Sequence, residues 1–291
     1  MNAPDLLTLE QRLRRHVEVL AQAPRLPTSR AHRDAQDYIA KHLQDGGFAV
    51  EEASDTPEGV PCTNLLARLL PENAARPLVV VGAHYDSVRN SPGADDNASA
   101  VAALLELARW IGPELRNAGR FARLQLVAYD LEEYGFVGSE MHCRQLEKQG
   151  VELRGMISLE MLGYTDRRPG SQKLPPELVG RYPDVADFIG VVGNEASQSM
   201  LDVVVPALKS VPGLPVQSIA VPSKGETLPP VRLSDHSPFW DHGYKALMIT
   251  DTSFLRNPHY HQTTDTPETL DYGFLAKVTA GVCAAVWQLL E

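Results

Sequence analysis

The sequence predicts an α/β fold, a single-domain three-layer α/β/α sandwich around a mixed, mostly parallel twisted sheet. Two observations predict it. Strand-like and helix-like segments alternate along the chain, which is the order of a sheet covered by helices on both faces. In addition, residues 78–82 are β-prone and apolar up to Gly82, as in an inner strand of a parallel sheet.

The N-terminal part of this fold is predicted from helical spacing followed by strand-like alternation. Residues 8–23 carry leucine and valine at helical spacing, and this helix ends at Pro24. A second helix over residues 31–44 stops at Gly46 and Gly47. The strands that follow are at residues 48–52, 64–70 and 78–82.

The rest of the chain continues the alternation. Residues 98–111 are strongly apolar at helical spacing, and residues 121–130 alternate as a strand. Residues 163–185 show no period and contain several prolines, glycines and charges, so we predict an ordered surface excursion that forms a pocket wall. The remaining predicted elements are helices over 135–149, 195–210 and 270–290, the last amphipathic, and strands over 153–161, 188–192, 216–221 and 246–250.

Length and composition exclude several classes of protein. The 291 residues, 43% hydrophobic and 22% charged, suit one globular domain over residues 1–291. No segment approaches the roughly 20 apolar residues of a membrane span. A net charge of −10 without basic runs disfavours nucleic acid and anionic membranes as partners. The N-terminus lacks the pattern of a secretory signal, so we expect a cytoplasmic protein.

Cysteine usage limits the kind of metal site that is expected. Cys62, Cys143 and Cys283 are far apart and odd in number. This spacing argues against a disulfide framework and against a thiolate cage. Any bound metal would therefore use histidine, aspartate and glutamate.

Candidate ligands follow the apolar strand directly. His84 stands at the predicted strand end, where open α/β sheets bind ligands. Asp86 is spaced to hold the second ring nitrogen of His84. Asp95 and Asp96 precede an apolar helix, where a cation would relieve their repulsion. Alternatively, Asp95 and Asn97 only cap that helix and His84 is an ordinary strand-end histidine.

Two further strand ends carry glutamates. Glu132 and Glu133 follow a predicted strand, so one carboxylate could bind a metal while the other takes a proton from activated water. A solvated surface pair has the same sequence pattern. Glu160 closes an apolar strand and needs a partner, either a metal or an arginine such as Arg154 or Arg168.

The C-terminal third contains several histidines. His259 and His261 flank Tyr260, so only one of the two need face a metal, and Tyr260 can present its phenol to the site. His236 and His242 are also candidate ligands. Their surrounding sequence fits a helix N-cap or an outer-shell position at least as well.

Six motifs resemble, in order and spacing, those of the di-zinc exopeptidases similar to bacterial leucyl aminopeptidase, a family that includes aminopeptidase Y and glutamate carboxypeptidase. The motifs are GAHYDS, PGADDNAS, DLEEYGFVGS, SLEMLGY, LSDHSPF and YHQTTDT. The resemblance covers nearly the whole chain and implies one catalytic domain without an inserted domain. It implies two Zn²⁺ ions or other divalent ions per chain, with Asp96 bridging them, Glu132 as general base and Tyr260 steadying the tetrahedral intermediate. The implied metal ligands are His84, Asp96, Glu133, Glu160 and His261.

Two positions depart from the family pattern. Glu160 stands where many relatives have aspartate, so its longer side chain requires a slightly retracted backbone or a different denticity. Ala100 replaces a glycine that is common after the DDxAS run. A helix start tolerates this second change.

The resemblance leads us to predict a metallo-aminopeptidase with peptides as substrate. One alternative is a glutaminyl-cyclase-like acyltransferase with one zinc ion, and the intact GADDN and LEEYGFVGS motifs favour the peptidase over it. A carboxypeptidase is a second alternative, which would need a cation such as Arg232 or Arg256 to grip a carboxylate. A non-catalytic domain like that of the transferrin receptor is disfavoured because every implied ligand and the base are retained.

The residues near the implied ligands predict an apolar substrate. Met161, Phe254 and Leu255 lie close to them in sequence, so the pocket should accept Leu- or Met-type side chains. The free α-amino group would need an acidic partner, for which Glu160 and Asp235 are the candidates. Asp235 would act through an outer-shell hydrogen bond.

Overall fold

The computed structural model describes residues 5–70, 75–117 and 123–291 of the chain. Within these ranges, eight strands form one sheet. The strands are β1 (Ala49–Asp55), β2 (Cys62–Arg68), β3 (Leu78–His84), β4 (Leu124–Tyr129), β5 (Leu153–Glu160), β6 (Ile189–Asn194), β7 (Val216–Val221) and β8 (Ala246–Thr250).

The sheet is mixed, with strand order β1-β2-β4-β3-β5-β8-β6-β7. Strands β4, β3, β5 and β8 are parallel neighbours, and β6 pairs in parallel with β7. The pairs β1–β2, β2–β4 and β6–β8 are antiparallel. Because parallel strands end at the same edge of a sheet, the residues that follow β3, β4 and β5 meet there.

Helices cover both faces of the sheet. They are α1 (Leu6–Leu20), α2 (Arg30–Asp45), α3 (Ala100–Asn117), α4 (Val137–Lys148), α5 (Gln198–Lys209), α6 (His236–Asp241) and α7 (Tyr272–Leu290). Helices α1, α2, α3, α5 and α7 share one hydrophobic core with one face of the sheet. Helices α4 and α6 pack in a second core on the other face. The predicted three-layer α/β/α fold is therefore confirmed.

Strand β3 lies in the middle of the sheet because its sequence suits burial on both faces. Every residue of β3 is buried. At Gly82, an added Cβ would lie 2.2 Å from Cε2 of the Tyr129 ring on β4. Glycine is therefore required for this close approach, which brings the ends of β3 and β4 together.

The predicted elements occur in the structure, with shifts at their ends. Helix α1 begins before residue 8 because the Asp5 carboxylate accepts a hydrogen bond from the backbone of Thr8. Helix α3 begins at Ala100 because a distorted turn, Ala94–Ser99, precedes it, in which Asp96 and Asn97 have non-helical backbone angles. We call this segment the π-helical turn. The predicted strand over 121–130 is β4, and residues 121 and 122 lie outside the described residues. The excursion over 163–185 is irregular, as predicted, apart from a short 3-10 turn at Pro176–Leu178.

Helix α7 corrects two expectations. It was expected to be amphipathic, yet it is mostly buried and contacts α1, α3 and α5. No segment was expected to suit a membrane span, yet by length and composition α7 does, with a mean hydropathy of 1.5. Because 72% of this apolar window is buried inside the protein, its hydrophobicity is explained by core packing.

Candidate metal centre

Three neighbouring strands of the sheet end at one site. His84 is the last residue of β3, Glu160 is the last residue of β5, and Glu132 follows β4. These strands are parallel neighbours, so the three side chains meet at the same edge. Asp96 comes from the π-helical turn before α3, and His261 comes from the loop between β8 and α7.

The five predicted ligands form two donor sets that share Asp96. One set is His84, Asp96 and Glu160, and the other is Asp96, Glu133 and His261; within each set the donor atoms lie within 4.8 Å of one another. The two oxygens of Asp96 face different histidines. Oδ1 lies 3.4 Å from Nε2 of His84, and Oδ2 lies 3.1 Å from Nε2 of His261. The structure thus places Asp96 between the two sets.

Glu160 joins the first donor set despite its longer side chain. Its Oε2 atom lies 3.6 Å from Nε2 of His84 and accepts a hydrogen bond of 2.8 Å from Oγ of Ser234. The alternative of an ion pair with Arg154 or Arg168 is wrong, because Arg154 is exposed near the opposite end of β5 and Arg168 pairs with Asp166. Ser234 therefore orients the carboxylate through Oε2. It does not bond to Oε1, the other oxygen of Glu160.

Buried atoms without partners show that these residues fit a cation. Nε2 of His84, Nε2 of His261 and Oε1 of Glu133 are buried and have no hydrogen-bond partner. Such atoms are costly to bury unless an ion or water satisfies them. Imidazole and carboxylate groups are the donors of zinc-class ions. Both donor sets therefore fit an ion of this class.

The charge balance of the site supports the same conclusion. Burial, with the neighbouring Asp96 carboxylate, raises the pKa of Glu133 to about 7. Burial also raises the pKa of Glu160. Burial by itself would lower the pKa of His261, but its contacts with Asp96 and Glu133 outweigh burial and raise the pKa to about 10. These shifts reveal an excess of negative charge, which a divalent cation would offset.

Asp86 occupies the position that its predicted supporting role requires. Its Oδ1 atom lies 3.4 Å from Nδ1 of His84, on the side of the ring away from the donor sets. The same carboxylate accepts hydrogen bonds from the backbone N–H groups of Glu132 (3.1 Å) and Glu133 (3.2 Å). A buried carboxylate in this arrangement fixes the orientation of a ligating histidine.

Glu132 lies beside both donor sets but belongs to neither. Its Oε2 atom is 3.9 Å from Nε2 of His84, and its side chain faces the cavity described below. Burial raises the pKa of Glu132 well above its usual range, while His84 opposes the shift. A carboxyl group next to the metal donors and open to the cavity has the position of a general base.

Tyr260 lies over the second donor set. Its ring stacks on His261, with 3.8 Å between ring centroids and 19° between planes, and it lines the cavity. Burial raises the pKa of Tyr260. The phenol therefore keeps its proton at neutral pH and can donate a hydrogen bond.

Comparison with known families identifies the chain. The model of peptidase family M28 matches residues 64–286, a range that contains both donor sets, Glu132 and Tyr260. The chain belongs to peptidase family M28. Membership of this family makes it a metallo-exopeptidase.

Two curated relatives of this M28 chain show different degrees of similarity. It is 40% identical to the uncharacterized protein YfbL of Escherichia coli (strain K12) over 265 residues. This alignment covers 86% of this chain and 78% of YfbL. It is 26% identical over 216 residues to a probable leucine aminopeptidase of Arthroderma otae, which covers 70% of this chain and 52% of the fungal protein. The chain thus spans about half the length of that fungal relative.

Solved structures share the M28 chain's fold. The zinc aminopeptidase BSAP of Bacillus subtilis superposes with a TM-score of 0.75 at 16% identity, covering 97% of this chain and 95% of BSAP. The glutaminyl cyclase of Porphyromonas gingivalis superposes with a TM-score of 0.72 at 20% identity, and the superposition covers 98% of this chain and 99% of the cyclase. At these identities the comparisons establish the fold alone.

In this M28 chain, a cavity of about 270 Å³ lies beside the metal centre. Asp96, Glu132, Glu133 and Glu160 form its charged lining. Most of the remaining lining is apolar. These apolar residues include Leu174, Leu178, Phe188, Val191, Val192, Ile219, Leu228, Val231, Leu233, Met248, Phe254 and Leu255.

The predicted apolar wall is correct for two of its three residues. Phe254 and Leu255 line the cavity, whereas Met161 is fully buried outside it. The chain turns at Met161, which has a positive φ of 45° and donates its backbone N–H to Oδ1 of Asn97. The turn directs Met161 into the core. The excursion over 163–185 does form part of the wall, through Gln172, Leu174, Pro175, Leu178 and Tyr182.

Three other candidate histidines lie outside both donor sets of the M28 chain. The ring of His236 contacts the carbonyl oxygen of Val231, and His242 contacts the carboxylate of Glu140. The hypothesis that His236 or His242 binds the metal is therefore wrong. His259 bonds to a nearby threonine hydroxyl, so His261 is the histidine of this pair that faces the centre.

Asp235 does not contact the cavity. It precedes α6 but makes no capping hydrogen bond. Its side chain is fully buried, and neither carboxylate oxygen has a hydrogen-bond partner. The expectation that Asp235 assists the α-amino group through an outer-shell hydrogen bond is therefore wrong, because its carboxylate makes no hydrogen bond to a residue of the site.

The two arginines suggested for carboxylate binding lie elsewhere. Arg232 forms an ion pair with Asp241 at 2.7 Å. Arg256 is buried and donates hydrogen bonds to Oε1 of Gln172 and the carbonyl oxygen of Phe188. Neither lines the cavity. These residues therefore do not supply the cation that a carboxypeptidase would need to bind the substrate carboxylate.

Sequence reasoning missed how the π-helical turn is held. Asp265 accepts hydrogen bonds from the backbone N–H groups of Asp95 and Asp96. The Asp95 carboxylate accepts hydrogen bonds from Gly163 and from Nδ2 of Asn257. Asp95 is thus neither a ligand nor a helix cap, but a link between the turn and two later loops. Asp265 stands in the YHQTTDT motif, which was the available signal for it.

Proposed function

We propose that this M28 chain is a di-zinc aminopeptidase that hydrolyses the N-terminal peptide bond of peptides. The observation that carries the proposal is the charge of the cavity lining. Its charged side chains are all carboxylates, and no lysine, arginine or histidine lies among the described residues that line it. Three of these carboxylates are the proposed zinc ligands, so the preference for one end of a peptide comes from the missing basic groups. The described lining offers no cationic side chain to pair with a C-terminal carboxylate, whereas a carboxylate oxygen of Glu160 can pair with an α-ammonium group.

Two zinc ions are proposed because the donor sets are distinct and share one carboxylate. Asp96 directs one oxygen towards His84 and the other towards His261. Each set then has two further residues of its own. The similarity to the probable leucine aminopeptidase of Arthroderma otae and to the zinc aminopeptidase BSAP supports the aminopeptidase activity and the choice of zinc.

The chemical roles follow from the positions of the side chains. Zinc ions in the two sets would polarise the scissile carbonyl group and lower the pKa of the attacking water. Glu132 accepts the proton of that water and passes it to the leaving amine. The Tyr260 phenol donates a hydrogen bond to the carbonyl oxygen as negative charge develops there. Asp86 holds the ring of His84 in its orientation.

The free α-amino group is bound by the carboxylates of the lining. Glu132 and Glu160 both line the cavity, and burial disfavours the charged form of each in the absence of a cation. A substrate ammonium group provides one such cation. We assign this role to Glu160, whose Oε1 atom is not held by Ser234, because Glu132 has to accept the proton of the water. Asp235 is no longer the candidate.

The side chain of the N-terminal residue occupies the apolar part of the cavity. A lining built from leucine, valine, phenylalanine and methionine favours hydrophobic side chains through burial, at about 25 cal/mol per Å² of apolar surface. We therefore propose peptides with N-terminal leucine or methionine as substrates. A charged side chain would lose its hydration without a partner.

The test combines metal analysis with a matched set of peptides. Purified protein reconstituted with zinc should contain close to two ions per chain by elemental analysis. It should release leucine from a Leu-peptide amide and from the same peptide with a free C-terminus at comparable rates. N-acetylation of the peptide should abolish cleavage, because it removes the α-ammonium group.

Two other results would replace the proposal. Cleavage that persists after N-acetylation but stops after C-terminal amidation identifies a carboxypeptidase. One zinc ion per chain, together with loss of ammonia and no hydrolysis from peptides with N-terminal glutamine, identifies a glutaminyl-cyclase activity.

A further inference from the structure

Arg25 lies in the connector between α1 and α2, outside the residues 64–286 that the family model matches. Its side chain is only 1% exposed. Arginine is almost never buried to this extent unless its charge and donors are satisfied. The catalytic roles proposed above do not use this cation, so its burial has another basis.

Four hydrogen bonds from the Arg25 side chain go to backbone carbonyl oxygens. Nε donates to Tyr85 at 2.6 Å. Nη1 donates to Leu20 at 2.8 Å and to Pro92 at 2.6 Å. Nη2 donates to Gly93 at 3.0 Å. The guanidinium group therefore connects the end of α1 to two separate points of a later loop.

That loop, residues 85–93, joins His84 to the turn that carries Asp96. The Arg25 backbone also binds it: the N–H group donates to Oγ of Ser87 at 2.9 Å, and the carbonyl accepts from the Ser87 N–H at 3.3 Å. One residue thus holds both ends of the segment between two proposed ligands. The distance between these ligands depends on the shape of the segment.

The chemistry of arginine suits this position. Its planar guanidinium group presents five N–H donors in fixed directions, whereas lysine presents three from one nitrogen. Burial lowers the pKa of Arg25, and the carboxylates of Asp96, Asp265, Asp86 and Glu133 oppose that effect. The cation therefore also offsets part of the negative charge at the centre.

We propose that Arg25 is a positioning residue that fixes the spacing of His84 and Asp96 and thereby sets the zinc affinity of the donor set that contains both. It acts through the backbone of residues 85–93, and its own side-chain bonds go to carbonyl groups and not to a ligand side chain. The inference rests on the proposed metal centre and is independent of which end of a peptide is cleaved.

The test compares Arg25→Lys and Arg25→Gln with wild type, and uses Arg144→Lys, an exposed arginine on α4, as the matched control. Zinc dissociation constants are measured by competition with a chromogenic chelator. Unfolding temperatures are measured for metal-free and zinc-loaded protein. We expect about 10- to 100-fold weaker zinc binding at one site in both Arg25 variants, and a smaller zinc-induced rise in unfolding temperature. Excess zinc should restore kcat without changing KM.

A purely structural role predicts a different pattern. The unfolding temperatures of metal-free and zinc-loaded variants would then fall equally, and the zinc dissociation constants would stay within about twofold of wild type, which overturns the inference. If neither Arg25 variant folds, Ser87→Ala decides, because it removes the acceptor of the Arg25 N–H and leaves the guanidinium group intact. Several-fold weaker zinc binding then supports the inference, and unchanged binding overturns it. Absence of zinc binding by wild type refutes the proposed metal centre itself.

Discussion

The Oδ1 atom of Asp86 accepts a hydrogen bond of 3.1 Å from the backbone nitrogen of Glu132. The same oxygen lies 3.4 Å from Nδ1 of His84. One buried carboxylate therefore links a proposed metal ligand at the end of β3 to the proposed general base after β4. A change at Asp86 should affect zinc binding and catalysis together.

We expect Asp86→Ala to weaken zinc binding by about 10- to 100-fold, because the ring of His84 loses the group that orients it. The value of kcat at saturating zinc should also fall, because the backbone of Glu132 loses its acceptor. Asp86→Asn retains one acceptor oxygen and should show a smaller effect. A chelator competition titration and steady-state kinetics measure both quantities. Unchanged zinc affinity in a folded Asp86→Ala protein would contradict the supporting role.

The adjacent residues Glu132 and Glu133 should have different functions. Glu132→Gln should lower kcat by about 100-fold or more while zinc content and KM change little, since a general base has been removed. Glu133→Gln should release zinc, because a member of the second donor set has lost its charge. Elemental analysis and kinetics on the two variants provide the comparison. Equal loss of zinc in both, or an active Glu132→Gln enzyme, would show that the roles are reversed or misassigned.

The wall formed by the excursion should control substrate binding. The Tyr182 hydroxyl donates a hydrogen bond of 3.0 Å to the carbonyl oxygen of Ser218 on the edge strand β7, and both residues line the cavity. Tyr182→Phe removes this bond, which is worth about 0.5–1.5 kcal/mol. We therefore expect KM for Leu-peptides to rise by roughly 2- to 10-fold with kcat unchanged. Tyr244→Phe, outside the cavity, is the control, and an equal KM change there would argue against a specific wall effect.

Asp235 should make the stability of the metal-free protein depend on pH. Burial raises its pKa from 3.8 to about 7. Because the folded pKa lies above the unfolded pKa, the stabilising contribution is complete below about pH 4 and is lost as the pH rises through 7. Asp235→Asn cannot ionise. From pH 5 to pH 8 the unfolding free energy of wild type should therefore fall relative to that of Asp235→Asn, by up to a few kcal/mol.

Denaturant unfolding of chelator-treated protein at these two pH values measures the effect. The exposed substitution Asp37→Asn serves as the control. Identical pH dependence in wild type and Asp235→Asn would show that Asp235 is not the group responsible.

Much of the fold was predictable because hydrophobic periodicity is a local property. The bounds predicted for β7 and β8 are those observed, since short apolar segments bounded by turn residues allow little choice. The helix ends were less predictable. The start of α3 depends on the π-helical turn, whose backbone is bonded to Asp265 about 170 positions later in the chain.

The ligand types and the strand ends that carry them were evident from sequence, and the family resemblance named the five residues. The direction of each side chain was not evident. Asp95 and Asp96 are adjacent residues of the same type, so their sequence surroundings do not distinguish them. In the structure Asp95 bonds to Asn257 and Gly163, whereas Asp96 faces the two histidines. The choice between them is made by segments that are distant in sequence and meet only when the chain folds.

The sequence by itself therefore determined the layered fold and the set of acidic and imidazole donors, because both depend on residue type and spacing. Only the tertiary structure decided that Met161 and Asp235 are buried and do not line the cavity, and that Arg25 is hydrogen-bonded to the loop between His84 and Asp96. Burial and hydrogen bonding of a single side chain depend on which distant elements pack around it. For Arg25, those surroundings come from the end of α1 and from both ends of the loop that joins two proposed ligands.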